Sequence, residues 1–539
     1  MRQFFAFFSG APRRTAASAA RRFSTQLPAS YTRAGADDVA FFKTVCGAPH
    51  VLVPGDGSDL SKYNTDWMRQ YHGATAAVVK PRDTAGVAAV LAHCSARRIP
   101  VVPQGGNTGL VGGSVPLSHE VVLSLERLKD VHSFDEDSGV VVCGGGLVLQ
   151  ALDDALGARG WMVPLDLGSK GSCAVGGNVA TNAGGLRLLR YGSLHGSVLG
   201  LEAVTGSGTV VDALCTLRKD NVGFDVKQLF IGSEGALGVV TRVAIQAVQR
   251  PAAVNVAMLG AASFADCRAL LRLARKRLGE VLSAAEFVDS RAMGIVLQQL
   301  AGTRLPFSTP APFFFFVELS GSNEAHDAEK LAGFLEEAAA GGLAVDGTVA
   351  ADGVQARSIW RLREDVSVAC SQRGHVYKCA ITNTPYLRSR ANSRETLHSS
   401  PRHPPPPPRA DDVSLPPARM YALVEDTRAR LEGLGWDPAL VVPVGYGHLG
   451  DNNLHLNVCT PDRGKEYHAR LAKDIEPWVY EWVMGAGGSI SAEHGLGQQK
   501  AKMLHRARPP PVVQLMKDLK KLLDPNGILN PGKVLPIDV

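Results

Sequence analysis

No Cys-x-x-Cys pair occurs in the chain, although it holds nine cysteines scattered from Cys46 to Cys459. An odd number of dispersed thiols excludes a disulfide frame and a thiolate zinc site, and reads as reduced, mostly buried side chains of a non-secreted protein. No run of eighteen uninterrupted apolar residues is present and mean hydropathy is +0.01, so the sequence offers no membrane-spanning helix. The Gly-x-Gly-x-x-Gly fingerprint with an acid downstream of a first strand is missing, which disfavours a nicotinamide cofactor, and so is a Walker-type phosphate loop. Solenoid repeats are absent. The body of the chain carries little net positive charge: of a formal net charge of +6, five charges are Arg2, Arg13, Arg14, Arg21 and Arg22. A nucleic-acid partner therefore loses its electrostatic footprint.

Those arginines lie in a leader rich in Ala, Ser and Phe with no acid before Asp37. Such a segment reads as a mitochondrial transit peptide over residues 1–28, with a plain basic tail or a plastid address as rivals. The 539 residues, 45% hydrophobic, predict two or three domains. From Ala77 the text reads strand, helix capped by Asp83 or Thr84, and strand, followed by short apolar runs at Gly139 to Cys143, Val198 to Thr205 and Val239 to Ala247. An α+β domain over 29–250 follows from this pattern. Longer helical patterns (Phe264 to Leu278, Glu324 to Ala340) alternating with strand-like runs predict a second α+β domain over 251–463, and helical patterns fill 464–539. Residues 379–411, with Pro404 to Pro408 consecutive, read as a low-complexity insertion, either a retained intron or mistaken gene model, or a genuine surface insertion.

Three glycine loops carry the first chemical signal: Pro103 to Ser114, Leu167 to Gly185, and Gly232 to Gly238. Glycine permits positive φ and close backbone approach, so successive N–H groups can converge on a pyrophosphate without a lysine. One such loop is more often a plain turn, but three in one domain point to a dinucleotide. Gly445 to Asn457 reads as a hairpin whose alternation puts His455 and Asn457 on one face, with His448 able to face them across the ladder. Two imidazoles need only a carboxylate to make an open, three-ligand catalytic metal site. Ser491 to Gly497 offers Glu493 beside His494 in a glycine-bounded loop.

Pro103 to Ser114, Pro164 to Gly185, Leu217 to Gly235 and Asn530-Pro-Gly-Lys533 together resemble the FAD-linked oxidase family of the vanillyl-alcohol oxidase type. Gln104 to Gly109 and Arg218-Lys-Asp-Asn221 direct the resemblance to its members that oxidise D-2-hydroxy acids. It implies a two-part FAD-binding domain, an α+β substrate (cap) domain and a C-terminal helical segment completing the active site. It further implies that FAD is held by Gln104, Gly105, Gly106, Asn107, Thr108, Gly109, Gly168, Gly171, Ser172, Gly176, Gly177, Asn178, Asn182, Gly184, Gly235 and Asn530. Asn107 and Thr108 stand where covalent members carry a histidine, so non-covalent FAD is expected. By the same resemblance His448, His455 and Glu493 bind a divalent metal, expected to be zinc, and His494 is the general base. Arg363, Ser367, Lys378 and Asn457 would bind substrate, with Ser367 where a threonine is usual. The expected reaction is oxidation of D-2-hydroxyglutarate to 2-oxoglutarate in the mitochondrial matrix, with an electron-transferring flavoprotein as acceptor. D-lactate or glycolate is the nearest alternative substrate. A flavin-binding protein without catalysis is the rival from another class, and a metal-dependent hydrolase would leave the glycine loops unexplained.

Overall fold

The computed structural model describes residues 27–67, 69–378 and 411–537. The expected transit peptide, but for its last two residues, and the expected insertion, but for Asp411, lie outside the described residues.

The first sheet grows from strand Ala77–Val79, helix Thr84–Arg97 and strand Val101–Gln104. Asp83 caps the helix by accepting from the Gly86 N–H, and Val87, Val90, Leu91 and Cys94 recur at helical spacing to bury one face. Strand Val121–Ser124 lies between the other two, all three parallel, and Val51–Leu52 joins the edge antiparallel. Their runs are apolar without alternation because both faces are covered. A second, antiparallel sheet follows in the order Val131–Asp135, Val140–Gly144, Val239–Gln246, Val198–Val204, Val210–Ala213. Glu202 ties the two together: it accepts from Thr84 Oγ1 at 2.5 Å, on the first lobe, and from Thr241 Oγ1 at 2.7 Å and Arg242 Nε at 2.9 Å within its own sheet.

The third sheet has eight strands, Asp346–Val349, Ala253–Ala261, Phe313–Gly321, Leu282–Asp289, Val442–His448 and Asn453–Thr460 in order, with His375–Lys378 and Asp411–Ser414 sharing the last edge. Phe313 to Phe316 explain its packing. Phe313 and Phe315 enter a core under helices Phe264–Leu278, Glu324–Ala340, Ala422–Gly433 and Lys465–Gly485. Phe314 and Phe316 enter a second core with helices Ser290–Gln299, Gly353–Glu364 and Val366–Arg373. On the second face the apolar pattern is interrupted by charge, at Glu286 and Glu318, both no more than 3% exposed.

The last edge answers a question that the sequence poses. Lys378 pairs with Asn457, and Asp411 pairs with Leu456, the next residue along the same partner strand. The two pieces are one strand in register, and it resumes at Asp411 rather than after it. The C-terminal helices Lys465–Gly485 and Pro510–Leu523 then lead back to the first sheet, where Val101 donates to Ile528 O and Asn530 donates to Val101 O. Among the described residues no helix is long and apolar enough to cross a membrane.

Candidate active site

The first two glycine loops are stacked on each other. A Cβ on Gly106 would stand 2.0 Å from Ser172 O, which no side chain tolerates, so close backbone approach is the reason for glycine there. Gln104, Gly105, Gly106, Asn107, Thr108 and Gly109 line one wall of a deep cleft, Gly176, Gly177, Asn178 and Gly184 another, and Gly235 and Asn530 close it. Gly168, Gly171, Ser172 and Asn182 do not reach this lining; Asn182 instead ends helix Val175–Thr181 in the left-handed conformation at φ 47°. Gln104 Nε2 donates to Tyr63 O and Ser114 O, and Asn107 Nδ2 to Lys62 O and Thr65 O. Their amide donors are thus committed to shaping the loop. Asn178 Oδ1 is buried at the cleft with no hydrogen-bond partner among the described residues. An orphaned acceptor in a glycine-walled cleft fits a polar, dinucleotide-sized group such as FAD.

Glu234, absent from the sequence-based candidates, closes this cleft from the third loop. It adopts φ 51°, and its carboxylate accepts from Leu496 N at 2.7 Å and Gly497 N at 2.8 Å. Burial pushes this carboxyl up, opposed by those two N–H groups and by Lys500 and Lys533. Gly495, at φ 78°, leaves room for it, since a Cβ there would stand 2.5 Å from Glu234 Oε1. Asn530 Nδ2 donates to Glu234 O and Gly113 O, which joins the C-terminal Asn-Pro-Gly-Lys motif to the first and third loops.

The second half of the site stands on the charged face of the large sheet. Val442–His448 and Asn453–Thr460 form the expected hairpin, with Tyr446 opposite His455 and Val444 opposite Asn457. The His448 and His455 rings are 5.1 Å apart. Glu286, cross-strand from His448, accepts from His448 Nδ1 at 2.8 Å and from Arg363 Nε at 2.9 Å. Burial opposes charge on His448, but Glu286 and then Glu493 outweigh it and push the imidazole up to about 9. Tyr446 is a second hub. Its hydroxyl bonds to Ser367 Oγ at 2.6 Å and accepts from Asn457 Nδ2 at 3.2 Å, while the Arg363 guanidinium lies 5.1 Å from its ring centre. Arg363, Ser367 and Asn457 therefore gather on one sheet face. The Lys378 backbone pairs with Asn457, and its side chain lies outside the description.

Glu493 and His494 join the halves, for both line the glycine cleft. Glu493 Oε1 accepts from Gly185 N at 3.3 Å and lies 3.7 Å from His448 Nε2. Asp412, fully buried, accepts from the backbone N–H groups of Glu493 and His494, each at 2.7 Å. Burial would raise its carboxyl, yet the His494 ring, Lys500 and those donors hold it low. Among the described residues no three His, Cys, Asp or Glu side chains form a preassembled metal cluster. The donor set His448, His455 and Glu493 is nonetheless of the kind that suits zinc, two imidazoles and a carboxylate. Glu286 could have been suspected in the sequence as an acid inside apolar strand-like text, whereas Asp412 follows a second acid and Glu234 has no signal beyond its glycine loop.

A cofactor cleft walled by glycine, opening on histidines and carboxylates, defines an FAD-dependent oxidoreductase. Residues 75–214 match the FAD binding domain family, and residues 250–396 and 385–534 match the C-terminal domain of FAD linked oxidases. The chain is 47% identical to mitochondrial D-2-hydroxyglutarate dehydrogenase of Arabidopsis thaliana over 93% of this chain and 81% of that protein. It is 38% identical to the D-2-hydroxyglutarate–pyruvate transhydrogenase of Saccharomyces cerevisiae, covering 93% of this chain and 94% of the relative. Its fold matches 4-ethylphenol oxidase from Gulosibacter chungangensis with a TM-score of 0.64 at 15% identity, over 93% and 97% of the two chains. The protein belongs to the family of FAD linked oxidases.

Proposed function

We propose that the protein oxidises D-2-hydroxyglutarate to 2-oxoglutarate, with non-covalent FAD, a divalent metal that is zinc by donor type, and an electron-transferring flavoprotein as acceptor in the mitochondrial matrix. The FAD-binding domain spans 29–250, the substrate domain 251–463 and the closing segment 464–539. One observation carries the reading: Glu493 and His494 sit on the wall of the glycine cleft, and Glu493 comes within 3.7 Å of the His448 that Glu286 couples to Arg363. Flavin chemistry and carboxylate-binding chemistry thereby share one boundary.

His494 takes the proton of the substrate 2-hydroxyl as the Cα–O bond becomes a carbonyl, a role that contributes about 10²–10⁴-fold. FAD, held by the glycine loops, would supply the acceptor for the hydride of Cα, so that two electrons and one proton would leave with the hydride while His494 holds the second proton. His448, His455 and Glu493 would hold the metal, whose chemistry is to lower the hydroxyl pKa and grip the adjacent carboxylate. Arg363, fixed by Glu286, meets a substrate carboxylate; Ser367 and Asn457, fixed by Tyr446, orient it; Lys378 supplies the second cation that a five-carbon diacid needs.

The yeast relative's name sets pyruvate beside D-2-hydroxyglutarate, which favours a shorter 2-hydroxy acid such as D-lactate as the second reading. Anaerobic mixing of the flavoprotein with D-2-hydroxyglutarate, D-lactate and their L forms tests both. Fastest bleaching by D-2-hydroxyglutarate supports the proposal, faster bleaching by D-lactate favours the second reading, and bleaching by none refutes both.

A further inference from the structure

The loop carrying Glu493 and His494 has no regular structure between helix Lys465–Gly485 and residue Ala501, so something else must hold it. One buried residue on a different strand does. Asp412 stands opposite His455 in the ladder and is 0% exposed. Its main-chain oxygen accepts from Ala492 N at 3.2 Å, and its Oδ2 accepts from Glu493 N and His494 N at 2.7 Å each. Three consecutive N–H groups thus end on a single residue. The same Oδ2 lies 3.4 Å from His494 Nδ1, and Asn453 Nδ2 donates to the other oxygen. A carboxylate is costly to bury unless its acceptors are filled, and here the donors come from the loop itself.

We propose that Asp412 is the positioning residue for His494: it clamps the loop through the backbone and, with Oδ2 beside Nδ1, selects the ring tautomer with its proton on Nδ1, so that Nε2 is the nitrogen that acts as base. A carboxylate beside one imidazole nitrogen fixes the proton there and so decides which nitrogen can act as base. The catalytic meaning of this rests on His494 being the base, as proposed above; the tautomer does not.

The test uses FAD-loaded full-length protein. In Asp412→Asn the amide oxygen can still serve the loop, and Asn453 can turn its unpartnered Oδ1 toward the new NH2. Flavin content should hold and the substrate concentration for half-maximal flavin reduction should stay within about threefold, while the saturating rate falls on the order of 10²-fold. Asp412→Asn, which keeps an oxygen for the loop, combined with His494→Gln should be no slower than His494→Gln alone, because both act at one step. The ¹⁵N resonances of the neutral His494 ring, assigned by His494→Gln, should report the proton on Nδ1. A wild-type saturating rate in Asp412→Asn, additive losses in the double variant, or a proton on Nε2 would overturn the proposal. If the variants fail to fold, the tautomer in the unaltered protein still decides. If no 2-hydroxy acid bleaches the unaltered flavin, the proposed function fails while the tautomer still judges Asp412.

Discussion

The glycine cleft and the charged face of the eight-stranded sheet meet at Glu493 and His494 but are made of different materials. The cleft is built by backbone: Gly106 against Ser172 O, Gly495 against Glu234, amide side chains turned inward to pin loops. The sheet face is built by side chains from remote segments, Glu286, Arg363, Tyr446, His448 and Asp412, each filling another's hydrogen-bond needs. A backbone site tolerates little steric change and ignores charge. A side-chain network does the reverse.

The largest expected effect lies in the network. Glu286→Ala leaves the Arg363 guanidinium buried without its carboxylate, and breaking such a pair costs about 3–5 kcal/mol. The urea midpoint should drop accordingly; an unchanged midpoint would mean that solvent reaches Arg363. In the cleft, Gly106→Ala forces the two loops apart, and overpacking of this kind costs about 1–3 kcal/mol, or roughly ten- to hundredfold in FAD affinity. Equilibrium dialysis of FAD measures it, and undiminished affinity would show that the loops separate freely.

Glu202, which joins the two lobes around the cleft, gives a smaller and pH-dependent effect. Burial raises its carboxyl, but Arg242, Thr241 and Thr84 outweigh this and bring it from 4.5 to about 2. Its stabilisation is therefore complete above about pH 4.5 and disappears as pH falls toward 2. After allowance for screening, Glu202→Gln should cost about 1–2 kcal/mol at neutral pH. A difference from the unaltered protein that persists at the acid end would contradict the assignment.

The smallest expected effect concerns residues 379–410. Since Lys378 and Asp411 oppose adjacent residues of one strand, joining them restores a ladder with no register change. Deleting 379–410 should leave flavin reduction equal or improved. A deletion variant that cannot fold would show that the segment is a structural part.

The same contrast explains what the sequence could reveal. Helices Phe264–Leu278 and Glu324–Ala340 and the strand around Phe313 are readable because their apolar period is local. The glycine loops are readable because backbone approach leaves a compositional mark. Helix Ala422–Gly433 is not, since its charged residues blur the period. Glu286, Asp412 and Tyr446 escaped because their partners lie tens to hundreds of residues away; the Glu286 to His448 bond spans 162 positions. Strand alternation and the glycine-bounded loop brought His448, His455, Glu493 and His494 forward, and the motif resemblance gave them roles as a set.

Cofactor binding and substrate chemistry are separable along this boundary. The direct test is to strip divalent metal from the FAD-loaded protein with a chelator, verify its removal, and mix it anaerobically with D-2-hydroxyglutarate while following flavin absorbance. The oxidised flavin spectrum should be unaltered, substrate should not bleach it, and returning zinc should restore bleaching. Undiminished bleaching after verified removal, or release of FAD by the chelator, would contradict it.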